Sequence, residues 1–138
     1  MGDYAASGGV YISTPADYIF AHPTTITGSI GVAIAFLTTE DSLEYIGISK
    51  DGVQTSKFAG WTPELPVTEE LDNIFNNLAE RSYQRFLEVV SESRKKDVSE
   101  INKIAGGRVW IGTDALQIDI IDELGGIDDA IGLSLIHI

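Results

Sequence analysis

Residues 1–13, Met1-Gly-Asp-Tyr-Ala-Ala-Ser7-Gly8-Gly9-Val-Tyr-Ile-Ser13, set the pattern for the whole chain. Tyr4 to Ala6 suits a strand. Ser7 stands where a helix can begin, and that helix runs to about Thr14 before Pro15 stops it. The same alternation repeats downstream. Asp17 to Ala21 reads as a buried strand, and His22-Pro23 as a turn. Thr24 to Leu37 holds one or two strands interrupted at Gly28 and Gly31. Thr39 to Tyr45 is a short helix ended by Gly47, and Ile48 to Thr55 suggests a hairpin about Lys50-Asp51-Gly52.

The second half begins with a loop from Ser56 to Pro66. The strongest helix follows: Thr68 is its N-cap, Glu69 and Glu70 suit its first turn, and Leu71, Ile74, Phe75, Leu78, Phe86 and Val89 recur at helical spacing. Arg94, Lys95 and Lys96 suit its C-terminal end. Asp97-Val-Ser-Glu100 is a capping box for a helix reaching Ala105, closed by Gly106-Gly107. Val109 to Ile111 is a strand, Thr113 caps a helix over Asp114 to Gln117, Ile118 to Ile121 is a buried strand, and Gly125-Gly126 leads into a last helix. Strands alternating with helices make the class α/β.

Composition narrows the chemistry. The chain has 138 residues, 43% hydrophobic and 22% charged, with a formal net charge of −12. That charge repels phosphate backbones, so nucleic acid is not the expected partner. Cysteine is absent and histidine is limited to His22 and His137, which removes thiol nucleophiles and leaves no basis for a metal centre. No phosphate loop is present, and no cofactor is expected. The longest apolar stretch, Ile30 to Leu37, is far short of the roughly 20 residues of a spanning helix.

Serine is a weak nucleophile that needs a base and oxyanion donors. At a helix start, followed by Gly8-Gly9, the Ser7 hydroxyl stands clear of bulky neighbours, and first-turn N–H groups point towards developing negative charge. The plainer reading of Ser7 is an N-cap serine beside tightly packed glycines. His22 reads as a turn residue, so the base falls to lysine, whose amine must be neutral to act. Lys57 is the candidate, with Phe58 and Trp61 as an apolar setting; its plainer reading is a solvated loop lysine. Lys95, Lys96 and Lys103 read as solvated. Ser29, in Thr27-Gly28-Ser29-Ile30-Gly31, can orient an amine or simply pack against glycine. Glu69-Glu70 and Asp128-Asp129 read as helix N-terminal acids, and Tyr83 and Trp110 as core.

Together these segments resemble the protease IV (SppA) family of signal peptide peptidases. The resemblance is carried by residues 1–13, Ala16-Asp17, Pro23 to Val32, Asp51-Gly52-Val53, Arg108 to Gly112, Asp114-Ala115-Leu116 and Asp122-Glu-Leu-Gly-Gly126, in family order. It implies a ClpP/crotonase-like fold and a serine endopeptidase with a Ser-Lys dyad. In that scheme Ser7 is the nucleophile, Gly8 an oxyanion N–H, Ser29 the residue that positions the lysine, and Lys57 the general base. It also implies signal peptides as substrates, a homo-oligomer, and a catalytic domain on the outer side of a bacterial-type inner membrane, held by an anchor upstream of Met1. Ser42 to Gly47 and Asp51 to Ser56 resemble the C-terminal half of the family's long form, where the lysine comes from the N-terminal half. Asp119 stands where relatives usually carry glycine, a position aspartate tolerates.

The family's Ser-Pro-Gly-Gly loop is expected upstream of Met1, so residues 1–132 read as a peptidase domain incomplete at its N-terminus and inactive in isolation. Residues 133–138, Leu-Ser-Leu-Ile-His-Ile, read as the translation of a sequencing adapter or vector tail. Two other functions stay open: a non-catalytic structural half of the oligomer, and an acyl-CoA-binding crotonase-like enzyme. The second is disfavoured by the lack of a basic surface for a phosphorylated pantetheine.

Overall fold

A computed structural model describes residues 1–136. The order of elements is β1 (Tyr4–Ala6), α1 (Gly8–Ser13), β2 (Phe20–Ala21), β3 (Ile26–Gly28), α2 (Glu40–Tyr45), α3 (Glu69–Arg94), α4 (Val98–Ile104), β4 (Val109–Ile111), α5 (Gly112–Gln117), β5 (Glu123–Leu124) and α6 (Ile127–Ile136). The class is mixed α/β, as the alternation predicts. Two units are distinguished: Met1–Val32 with the residues from Ser82 onward, and Ala33–Arg81. Of the tail read as extraneous, Leu133 to Ile136 continue α6, and residues 137 and 138 lie outside the described residues. Among the described residues no helix is long and apolar enough to cross a membrane.

The first unit is built on a three-stranded sheet in the order β1-β3-β4, parallel between β1 and β3 and antiparallel between β3 and β4. A second pair, β2 with β5, is parallel. Parallel neighbours need a crossover, and α1 and β2 lie between β1 and β3 in the chain. The core gathers Val10 of α1, Ile19, Ala21 and Ile30. It adds Phe86, Leu87 and Val90 of α3, Ile101 of α4, Ala115 of α5, and Ile120 and Ile121. Tyr83 and Trp110 pack against it, as expected. Residues 83, 86, 87 and 90 form the stripe of a helix with one buried face.

Gly112 shows how closely the chain approaches itself: a Cβ there would lie 2.0 Å from the His22 carbonyl oxygen, so α5 can begin only on a glycine beneath the His22-Pro23 turn. Asp122, in the Asp-Glu-Leu-Gly-Gly segment, holds two elements together. It takes a forked pair of hydrogen bonds from Arg94 (Nη1 to Oδ2 3.0 Å, Nη2 to Oδ1 2.7 Å) and a third from the Ile19 N–H at 2.7 Å. The Arg94 Nε–H donates to the Asp119 carbonyl at 2.7 Å.

The Arg94 hydrogen bonds hold the Asp122 carboxyl below its ordinary 3.8, against a smaller opposing effect of burial. A depressed folded value stabilises the fold above the unfolded value, about 4. That contribution is lost as pH falls through the folded value. Arg94→Ala is therefore expected to cost about 2–4 kcal/mol at neutral pH and to flatten the acid limb of stability. Urea unfolding of both proteins across the acid range checks this; an unchanged limb would refute it.

Several local expectations give way to tertiary context. Ile118 to Ile121 supplies buried side chains but no strand; the strand is Glu123–Leu124, paired with β2. Ile48 to Thr55 forms no hairpin: neither arm pairs as a strand, and the Lys50 ammonium reaches outside the segment to Thr62 Oγ1 (2.6 Å) and Glu64 (2.9 Å). Past Gly28, Thr24 to Leu37 forms no further strand, and Asp17 to Ala21 contributes only Phe20–Ala21. Helix α4 starts where expected, but Asp97 makes no side-chain cap bond, so the capping box does not close. Helix α5 starts at Gly112 with Ile111 as N-cap, ahead of Thr113. Thr68 does cap α3, its hydroxyl accepting from the Leu71 N–H at 3.3 Å.

Candidate active site

Ser7 occupies the single residue between β1 and α1, with φ 52° and ψ −112°. Its N–H donates to the Gly28 carbonyl at 2.8 Å, and its own carbonyl accepts from the Tyr11 N–H at 3.0 Å. The backbone is thus held by the sheet on one side and the helix on the other. An ordinary N-cap serine has extended backbone and bonds its hydroxyl to the helix. Ser7 has neither feature: its hydroxyl makes no cap bond. A strand-to-helix turn that forces a serine into a sparsely populated conformation is the way nucleophile elbows present their Oγ. Gly8 is exposed, and an added Cβ there would meet nothing within 4 Å, so the approach beside Ser7 is open. As the first residue of α1, Gly8 has an N–H with no acceptor inside the helix.

Ser29 is the second strained serine, with φ 51°. Its N–H donates to the Arg108 carbonyl at 2.6 Å. The register pairs Ala6 with Gly28, so Ser7 and Ser29 each stand one residue past the same rung of two parallel strands. Neighbouring strands lie about 4.8 Å apart. The sheet therefore brings these two predicted residues to one place.

Among the described residues four non-glycine residues have positive φ: Ser7, Ser29, Lys95 and Asp119. Lys95 directly follows α3 and Asp119 lies just past α5, where helices commonly end in the left-handed conformation. Asp119, at φ 59°, thus adopts the conformation that a glycine there would favour. Ser7 and Ser29 end no helix. Each such residue costs on the order of 1–3 kcal/mol, and such strain gathers at functional sites.

Sequence reading named Gly28 and Arg108 but gave neither a part in holding the two serines. Gly28 lies at φ +76°, and a Cβ on it would come within 2.6 Å of Trp110 Cδ1 and 2.9 Å of the Arg108 carbonyl. Its carbonyl anchors Ser7, and Arg108 anchors Ser29. The glycine before Ser29 was the only available signal. Beside β1 and α1 lies an apolar cavity of about 590 Å³ lined by residues that include Tyr4, Ala5, Gly9, Ile12 and Phe20.

Lys57 belongs to the other unit. It shares a cavity of about 250 Å³ with Phe58, Trp61 and Leu71, so the expected apolar neighbours are present. Its ammonium, however, pairs with Glu70, and its side chain is 68% exposed. In this arrangement it is a solvated ion pair, whereas a general base needs the neutral amine. Lys50, the other lysine of that unit, is tied to Thr62 and Glu64. The Thr62 hydrogen bond and then Lys50 hold the Glu64 carboxyl down at about 2. His22 serves the turn: its N–H donates to Thr25 Oγ1 at 2.9 Å, and its carbonyl accepts the Thr25 N–H at 3.0 Å. Glu69, Glu70, Asp128 and Asp129 lie in first helical turns, and the Asp129 carboxylate accepts from the Gly126 N–H at 2.7 Å. Among the described residues no group of three or more His, Asp or Glu could hold a metal ion.

Residues 1–134 match peptidase family S49. Protease 4 of Haemophilus influenzae is 43% identical over 131 residues, covering 95% of the chain and 21% of that protein. The chloroplastic serine protease SPPA of Arabidopsis thaliana is 38% identical over 136 residues, 97% of the chain and 20% of the relative. A protein named for signal peptide peptidase SppA in Enterococcus faecium is 34% identical over 128 residues, 92% of the chain and 37% of the relative. The chain thus spans about a fifth of the first two relatives and little more than a third of the last.

Proposed function

The chain belongs to peptidase family S49, among the Protease 4 and SppA proteins, and on that premise we propose that it carries the nucleophile of a serine endopeptidase that cleaves residual signal peptides. The observation that carries the reading is Ser7: a strained strand-to-helix residue whose hydroxyl is not used as a cap. We propose the ClpP/crotonase-like fold for the domain, and a membrane-associated homo-oligomer as its working form, with the catalytic domain outside the inner membrane.

In the proposed mechanism Ser7 Oγ attacks the scissile carbonyl carbon while a neutral lysine amine takes its proton. The Gly8 N–H donates to the carbonyl oxygen as it becomes an oxyanion, and one such donor is typically worth about 3 kcal/mol. The tetrahedral intermediate collapses with the lysine returning the proton to the leaving amine, which leaves an ester on Ser7. Water, giving its proton to the same amine, then attacks the ester carbonyl; the acyl C–Oγ bond breaks, the ammonium returns the proton to Ser7 Oγ, and the acyl group leaves as a carboxylic acid. Ser29 orients the amine as a positioning residue, a role supported by its place beside Ser7 at the strand ends. Lys57 is the proposed amine, which requires its loop to give up Glu70. The apolar cavity beside β1 and α1 suits an apolar peptide.

The test is covalent. A fluorophosphonate should label the full-length protein at one residue, and peptide mapping by mass spectrometry should place the adduct on Ser7. An adduct on another serine would overturn the assignment.

A further inference from the structure

The sequence has one Asp-Gly pair and no Asn-Gly pair, and that pair, Asp51-Gly52, lies in an exposed, irregular segment of the second unit. The Gly52 N–H donates to Asp51 Oδ1 at 2.7 Å. That contact folds the carboxyl group back onto the next peptide nitrogen, which also places the nitrogen beside the carboxyl carbon. Gly52 has no side chain, and a Cβ built on it would meet nothing within 4 Å, so the residue is not crowded by packed neighbours. We propose that Asp51 is a site of spontaneous backbone rearrangement, through a succinimide to isoaspartate.

The step needs nothing but water. In the carboxylic acid form, the Gly52 nitrogen attacks Cγ of Asp51 and loses its proton. The tetrahedral adduct expels the carboxyl oxygen as water, closing a five-membered imide. Water then adds to one of the two imide carbonyls. Addition at Cγ restores aspartate. Addition at the main-chain carbonyl breaks its bond to nitrogen and leaves the chain running through Cβ, with the carboxylate on Cα. No electrons are transferred, and the mass returns to its starting value.

Proximity is the reason this pair is singled out, because a nucleophile held in contact with its electrophile reacts as a near-attack conformer. The pair Asp41-Ser42 provides the contrast within the same unit. It lies in α2, where the helical backbone points its N–H groups along the axis and the serine side chain adds bulk. The product would have a local consequence. One extra methylene in the main chain directly after Lys50 would disturb the alignment of its ammonium with Thr62 and Glu64.

The experiment ages the whole chain at neutral pH and physiological temperature. Isoaspartate is counted by enzymatic methyl transfer and located by electron-transfer fragmentation; the imide is read as the loss of one water and trapped with hydroxylamine. Isoaspartate should build up at Asp51 at least tenfold faster than at Asp41, and Gly52→Val should slow it by about tenfold or more. Unfolding in urea should leave the rate at Asp51 unchanged or lower it. Equal rates at the two aspartates, an unaffected Gly52→Val protein, or a rate that rises on unfolding would each overturn the proposal. Gly52 makes no tight contact, so that variant folds as the parent does.

Discussion

Ser7→Ala is expected to lower kcat of the full-length peptidase by about a million-fold, the scale on which serine peptidases lose activity with their nucleophile. Residual turnover would come from binding and the oxyanion donor alone. Fluorophosphonate labelling should vanish with it, and labelling that persists would remove Ser7 from the mechanism. A companion variant tests the backbone. At φ 52° and ψ −112°, alanine is as strained as serine, whereas glycine is at ease. Ser7→Gly should therefore be equally inactive yet more stable than Ser7→Ala by about 1 kcal/mol. Equal urea midpoints for the two would show that the turn is not under strain. The signature of a nucleophile held by its fold is lost activity with gained stability.

Lys57→Ala is expected to reduce turnover as deeply as Ser7→Ala, because residues that act as one unit are not additive. The double variant should fall no lower than either single one. Stability should hardly change, since the Lys57–Glu70 pair is exposed and such pairs contribute little. In the parent, the acid limb of the kcat/KM profile should report a base that must be unprotonated. Lys50→Ala is the control, removing the other amine of the same unit. A Lys57→Ala protein that keeps most of its activity would refute Lys57 as the base. Its observed pairing with Glu70 makes this the sharper test of the dyad, and a base contributed from elsewhere in a longer chain would give that result.

What was legible in the sequence was local. Gly8-Gly9 after Ser7 and Pro15 beyond it were enough to place a strand, one junction residue and a short helix. Helix α3, its N-cap Thr68 and the Gly125-Gly126 turn were read in the same way, because helix periodicity and turn chemistry depend on residues within a few positions of one another; which face of α3 is buried was not, since Leu87 and Val90 lie in the core while Ile74 and Leu78 of the expected stripe are exposed. The Asp97 capping box and the Lys50-Asp51-Gly52 hairpin show the limit of such signals. Each was locally plausible, yet the Asp97 side chain makes no cap bond and the residues about Lys50 find no strand to pair with.

Local chemistry along the chain was enough for the α/β class, the order of most elements and the position of Ser7 at a strand–helix junction. That Ser29 stands beside it is a result of packing. That follows from the parallel pairing of Ala6 with Gly28 and from the carbonyls of Gly28 and Arg108, which fix the two serine N–H groups. Strand register is a non-local choice, set by which faces can be buried together, so no window of sequence contains it. The same reason left the expected strand Ile118 to Ile121 as irregular chain with only Ile120 and Ile121 buried, and gave the pairing with β2 to Glu123–Leu124. It also gave Lys57 a carboxylate partner, Glu70, that its own loop did not announce.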